Sequence, residues 1–229
     1  MRNVIIACET VKDELELAMK QTSCNYPVVW INSEFHIDPN LLRTKLQEEI
    51  DNVKDADNIL LVYGCCGNAV IGLKASTADL VFPRTDDCIS MVLCQPNQKF
   101  ERKKATYFLT KGWIESPKSL IKEYQNAIKR YGEKKTKRIF QVMLKHYNYL
   151  MLIDTGAYNI DEYYDKASHI AQITDLNLFV EKGGIWLIKK LLTGPYDNDF
   201  CYIKKGDTVK ISHFNYPYDE KFHQSTFLF

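Results

Sequence analysis

Short unbroken apolar runs alternate along this chain with longer stretches in which apolar residues recur every three or four positions. In the first half the unbroken runs are 3–8 (NVIIAC), 27–31 (PVVWI), 58–63 (NILLVY) and 79–82 (DLVF). Continuous apolarity over four to six residues marks a strand covered on both faces. Between the runs, Val11, Leu15, Ala18 and Met19 share one helical face, and Leu42, Leu46, Ile50 and Val53 another. The start signals agree with this reading. Thr10 with Asp13 three residues on resembles a capping box, Pro39 suits a first helical turn, and Thr85-Asp86-Asp87 reads as an N-cap cluster for a helix over 88–94. A short helix is expected from Ala69.

The second half repeats the pattern. Strands are expected at 105–110, 149–153, 177–180 and 200–203, and helices at 116–130, 134–147, 161–174 and 183–192. The aromatic stretch 214–229 fits no element. Strands separated by helices indicate an α/β fold with parallel sheets. The expected architecture is two small Rossmann-like lobes, 1–104 and 105–229, packed around a central cleft. No low-complexity linker divides them.

Composition narrows the function classes. The 229 residues are 45% apolar and 26% charged, with net charge +1. That balance lacks the basic stripe of a nucleic-acid-binding domain, so no nucleic-acid partner is expected. The basic run 134–138 reads as a solvated helix face. No apolar window is long enough for a membrane span, and the first eight residues do not read as a signal peptide. A cytoplasmic protein with no membrane association is expected. Seven cysteines, an odd count without paired CxxC motifs, then favour metal or catalytic roles over disulfides.

Strand order turns scattered cysteines into a constellation. Cys8 ends the first expected strand, His36 follows the second, Cys65 and Cys66 follow the third, and Cys88 follows the fourth. In a parallel sheet these ends share one edge, where ligands bind. Thiolates ligate metals, and three of them can hold a [4Fe–4S] cluster with one open iron, which is the expected cofactor, or zinc with one open position as the alternative. Cys8, Cys66 and Cys88 are the candidate ligands, and His36 or Cys65 a further ligand or base. Asn68 and Arg84 lie near the same edge, and Arg84 suits a carboxylate or phosphate. Thr110, Trp113, Asp154 and Thr155 end strands of the second lobe, facing the site as candidate substrate-binding residues. Phosphate-binding glycine loops, HExxH and GxSxG are absent from the sequence.

Several segments together resemble the DUF1638 family: Ala7-Cys8, Gly64-Cys65-Cys66-Gly67-Asn68 with Gly72-Leu73, Pro83-Arg84-Thr85-Asp86-Asp87-Cys88, Tyr107 to Trp113, and Asp154-Thr155-Gly156. The three cysteines match that pattern. Glu9 stands where relatives commonly have glycine, and Asp86 where they often have histidine. The resemblance implies a setting in corrinoid-dependent methyl transfer and anaerobic one-carbon metabolism. The expected function is therefore a metal- or iron–sulfur-binding protein acting on a small-molecule substrate or a corrinoid protein. The alternative is a non-enzymatic accessory protein that binds a corrinoid protein or delivers a metal or cofactor to it.

Overall fold

The computed structural model describes residues 2–96 and 101–214. The stretch 215–229, unassigned from sequence, lies outside the described residues.

The chain opens with β1 (Asn3–Cys8), α1 (Lys12–Thr22), β2 (Val28–Ile31), α2 (Pro39–Asn52), β3 (Asn58–Val62), β4 (Asp79–Pro83) and α3 (Cys88–Leu93). The four strands are parallel, in the order β2-β1-β3-β4. Ala7 stands opposite Trp30 and Val62, and Cys8 opposite Ile31. Their carboxyl ends are thus level along one edge. Ile5, Ile6 and Ala7 of β1 and all of Ile59 to Val62 of β3 are fully buried, as continuous apolar runs require. Pro39 occupies the first turn of α2, capped by the Asp38 side chain. In place of a helix from Ala69, the segment makes turns, with Gly67, Asn68 and Gly72 at positive φ.

The second sheet is parallel, in the order β5-β6-β7. Its elements are β5 (Thr106–Leu109), α4 (Lys111–Glu115), α5 (Leu120–Tyr131), α6 (Glu133–Met143), β6 (Tyr149–Asp154), α7 (Ile160–Thr174) and β7 (Asn177–Lys182). The helix expected over 116–130 begins instead at Leu120. Ser116 is extended, as a residue before proline prefers to be. The middle strand, β6, explains how the lobes join. Leu150 and Leu152 pack with Tyr124, Phe140 and Ala167 in a core under the helices of this lobe. Met151 and Ile153, on the other face of the strand, belong to the core of the first lobe.

The chain then returns. α8 (Trp186–Thr193) packs on α1, and β8 (Phe200–Ile203) runs antiparallel along β4, with Leu80 opposite Ile203 and Pro83 opposite Phe200. The sequence pattern places both elements in the second lobe, beside their neighbours in the chain. They belong to the first sheet because its β4 edge presents unpaired backbone groups, which β8 satisfies. The first sheet is therefore five-stranded and mostly parallel. Phe214 packs against Phe82 with ring centroids 5.6 Å apart and is buried there. No helix among the described residues is long and apolar enough to cross a membrane.

Candidate functional site

The site begins with a tight turn that requires glycine at position 64. After β3 the chain passes Tyr63 and doubles back through Gly64 to Asn68. The Cys65 N–H donates to the Thr85 carbonyl at 2.8 Å, and the Cys66 N–H to that of Asp86 at 2.7 Å. A Cβ on Gly64 would lie 2.6 Å from the Thr85 oxygen and 2.7 Å from the Asp87 nitrogen, so no larger residue fits there. Cys66 takes a left-handed backbone with φ 47°, which costs a non-glycine residue about 1–2 kcal/mol. Those two hydrogen bonds hold it, as does Arg43, which donates to the Asn68 carbonyl at 2.8 Å. Cys88 opens α3 in the same loop pair, after Asp87 caps the helix by accepting from the Ser90 N–H at 2.9 Å.

Cys8 and His36 meet at this edge, with Cys66 and Cys88 buried near them. Cys8 Sγ lies 3.2 Å from His36 Nε2 and 3.0 Å from Thr10 Oγ1. Thr10 does not cap α1; Val11 holds that position without a side-chain bond. A 3-10 turn over Glu9–Val11 buries Thr10 and turns its hydroxyl to the thiol. The His36 ring stacks on Tyr63 (6.2 Å between centroids) and meets Trp113 edge-on (5.7 Å). Trp113 comes from the second lobe on α4, where Thr110 caps the helix and accepts from the Trp113 N–H at 3.4 Å. Thr110 thus acts here as a helix cap that positions the indole.

Burial and mutual proximity set the charge state. Cys8, Cys66 and Cys88 are all buried. Burial is the main cause that raises each thiol pKa. For Cys66 the nearby Cys88, Asp87 and Cys8 raise it further, and for Cys88 the neighbours Asp87 and Cys8 do so. Burial lowers His36 to about 4, against an opposing pull from Asp87. At neutral pH the three thiols are protonated and the imidazole is neutral. The Tyr63 hydroxyl is buried among them, beside Cys8, and makes no hydrogen bond of ordinary geometry.

By type, Cys8, Cys66, Cys88 and His36 form a soft-metal donor set. As the side chains stand, no group of three or more His, Cys, Asp or Glu among the described residues is placed to hold a metal ion. Ligation requires the four side chains to converge.

The other candidate residues divide between two places. Cys65 donates to Asn68 Oδ1 at 3.3 Å, so these two engage each other. Arg84 donates to the carbonyls of Asn198 and Phe200, both at 3.0 Å, and to that of His213. It clamps β8 and the chain beyond to the end of β4. Arg84→Met is expected to lower stability by about 3 kcal/mol, because three charge-assisted bonds to backbone carbonyls are lost. A thermal melt would register this as a fall in Tm of roughly 6–12 °C.

Thr155 meets α1, while Asp154 pairs with the end of β7. Thr155 Oγ1 donates to Glu14 Oε1 at 2.9 Å, while Asp154 pairs with Lys182 and accepts from the Gly156 N–H at 3.1 Å. Glu14 is 1% exposed, and burial lifts its pKa to about 7. Beside it, Lys111 bridges to Asp13 at 2.5 Å across the lobe boundary.

Thr10, Glu14 and Tyr63 escape the sequence reading. For Glu14 a signal exists: it lies three residues after Val11 and four before Ala18, on the apolar face of its helix. Tyr63 ends an apolar run and is indistinguishable there from a core aromatic.

A sequence model of the family described as "Protein of unknown function (DUF1638)" matches residues 30–192. Comparison with curated proteins and with solved structures gives no match.

Proposed function

Since the chain belongs to the DUF1638 family, whose description assigns no activity, we propose a function from the sheet edge itself: a metal-binding protein in which Cys8, Cys66 and Cys88 hold one soft ion, with His36 in the fourth position. The observation that carries this reading is the 3.2 Å separation of Cys8 Sγ and His36 Nε2 within a cluster of buried, mutually close thiols. Zinc bonds of ~2.3 Å to sulfur and ~2.0 Å to nitrogen, at a tetrahedral angle, set such atoms about 3.5 Å apart. A four-iron cluster spreads its terminal ligands further, because each sits on a different iron. The spacing of these two atoms suits zinc, the alternative to the [4Fe–4S] cluster expected from the sequence, which would need the three cysteines alone.

The protonation states support the same choice. His36 is neutral at physiological pH and can ligate through Nε2. The thiols resist ionisation in the metal-free cluster, and a bound cation reverses that preference. When bound, such an ion lowers the pKa of a thiol or water that takes an open position. If His36 stays ligated the centre is closed, which suits an accessory protein. If it releases, the centre is open, which suits an enzyme acting on a small-molecule thiol or a corrinoid protein. The corrinoid-linked setting is part of this proposal and rests on the family resemblance.

The test is metal content and absorption of protein purified without oxygen, followed by cobalt(II) substitution. We expect about one zinc per chain, no colour, and tetrahedral cobalt bands with sulfur charge transfer. Cys66→Ser should weaken zinc binding by more than about 100-fold, beyond the usual loss from an outer-shell change. Iron with sulfide and a brown colour would reassign the centre to the cluster. Folded protein that takes up no metal would overturn the reading. An exogenous thiol that alters the cobalt spectrum would identify an open position, and hence the enzyme.

A further inference from the structure

α6 carries more apolar surface than its own lobe uses. Thr136 and Phe140 of this helix, with Leu144 just after it, recur every four residues and are buried. One such stripe is what a surface helix needs. Ile139, Val142 and Met143 form a second stripe, three and four residues apart and so neighbours on one face. They stay in solvent: Val142 is 68% and Met143 48% exposed. A single exposed apolar residue is ordinary, whereas a contiguous group marks a contact surface.

The charge around this stripe is one-sided. Residues 120–145 hold eight Lys and Arg against two Glu, a net +6 in a chain of net +1. Other helices pair their charges internally, as in Lys12–Glu16, Lys45–Glu49 and Lys111–Glu115. Lys134, Lys135, Lys137 and Arg138 enter no salt bridge among the described residues. Lys134, Lys135 and Arg138 line a surface depression of about 510 Å³ together with Tyr131, whose half-exposed ring lies 5.1 Å from the Lys135 ammonium. Lys135 and Arg138 stand one turn before Ile139 and Val142, so basic depression and apolar stripe are continuous. From Lys134 to Met143 they span about 14 Å of helix, the length of roughly three turns of a partner helix.

The combination selects a partner. Lipid binding scales with buried apolar area, and three side chains beside a concavity offer little to a flat bilayer. Nucleic acid is gripped by basic side chains with polar groups or stacking rings, not by an aliphatic stripe. An amphipathic helix supplies apolar residues in register with charges beside them. We propose that the exposed face of α6 is a docking surface for an acidic amphipathic helix of a partner protein, whose apolar residues cover Ile139, Val142 and Met143 while its carboxylates pair with Lys134, Lys135 and Arg138. This inference is independent of the metal-binding reading.

The probe is a labelled synthetic helix of about 18 residues, long enough to hold its fold, with leucines at i, i+3, i+4 and i+7 and glutamates beside them. Fluorescence anisotropy should show it binding at least about 10-fold more tightly than the same peptide with lysines for glutamates. Val142→Glu should weaken the acidic peptide by about 10-fold or more. Lys134→Glu with Arg138→Glu should reverse the preference toward the lysine peptide. All these side chains are exposed, so Tm should stay within about 2 °C and folding is not in question. Equal affinity for the two peptides, binding unchanged in the variants, or no binding of the acidic peptide at about 1 mM, the weak end of specific association, would overturn the proposal. Vesicles of phosphatidylserine, or duplex RNA, bound in preference to the acidic peptide would also overturn it and reassign the face to lipid or nucleic acid.

Discussion

Gly112→Ala is expected to be the most damaging single substitution in the molecule. A Cβ there would lie 2.1 Å from the Thr10 carbonyl oxygen, 2.6 Å from its carbon and 2.7 Å from its Cα. All three are backbone atoms, so no side chain can swing aside. Thr10 itself cannot retreat, because it is buried in the 3-10 turn behind β1 with its hydroxyl on Cys8. The strain must move α4, and with it Lys111 and Trp113. A loss of about 3–5 kcal/mol follows from overpacking combined with the broken Lys111–Asp13 contact. This corresponds to roughly 6–20 °C in Tm. Calorimetry checks the size. Gly184→Ala is the control. A Cβ at Gly184 meets nothing within 4 Å, so its Tm should stay within about 2 °C of the unsubstituted protein.

Glu14→Gln should stabilise the protein, and only above mildly acidic pH. The carboxyl of Glu14 is held at about 7 in the fold, against 4.5 for a free glutamate. Below pH 4.5 it is protonated in both the folded and unfolded states and contributes no pH dependence. Between 4.5 and 7 the folded state holds a proton that the unfolded state has released, so stability falls as pH rises. Above 7 the loss is complete, at about 3 kcal/mol from a shift of this size. Glutamine is uncharged at every pH and its carbonyl can still accept from Thr155. Denaturant unfolding at pH 5 and pH 8 should show the two proteins within about 1 kcal/mol at the lower pH. At pH 8 the variant should be more stable by about 2–3 kcal/mol. A parallel shift at both values would mean that Glu14 does not titrate on folding.

The legible part of this fold is whatever depends on local periodicity. β1, β3 and β6 are buried on both faces, and their unbroken apolar runs say so directly. Asp87 and Pro39 act at helix starts as their residue types require. Strand order then carried Cys8, Cys66 and Cys88 to a common edge, since parallel strands place their ends together whatever the intervening sequence. The parts that local patterns could not show depend on contacts distant in the chain. Phe200 to Ile203 read only as a strand, and nothing nearby specifies that it pairs with β4. Thr10 carried a strong capping signal, but burial beside Cys8 gave its hydroxyl a different partner. Arg84 was expected at a ligand and instead holds carbonyls more than a hundred residues away.

The return of β8 also sets an order of events during synthesis. A nascent chain that has emerged as far as β4 has the four parallel strands of the first sheet but not the fifth. Its outer edge stays open until more than a hundred further residues have left the ribosome, the whole of the second sheet among them. Throughout that interval the exposed edge is available to other strands, including those of neighbouring nascent chains on the same messenger. Slow translation across 105–199 is expected to lengthen this exposure.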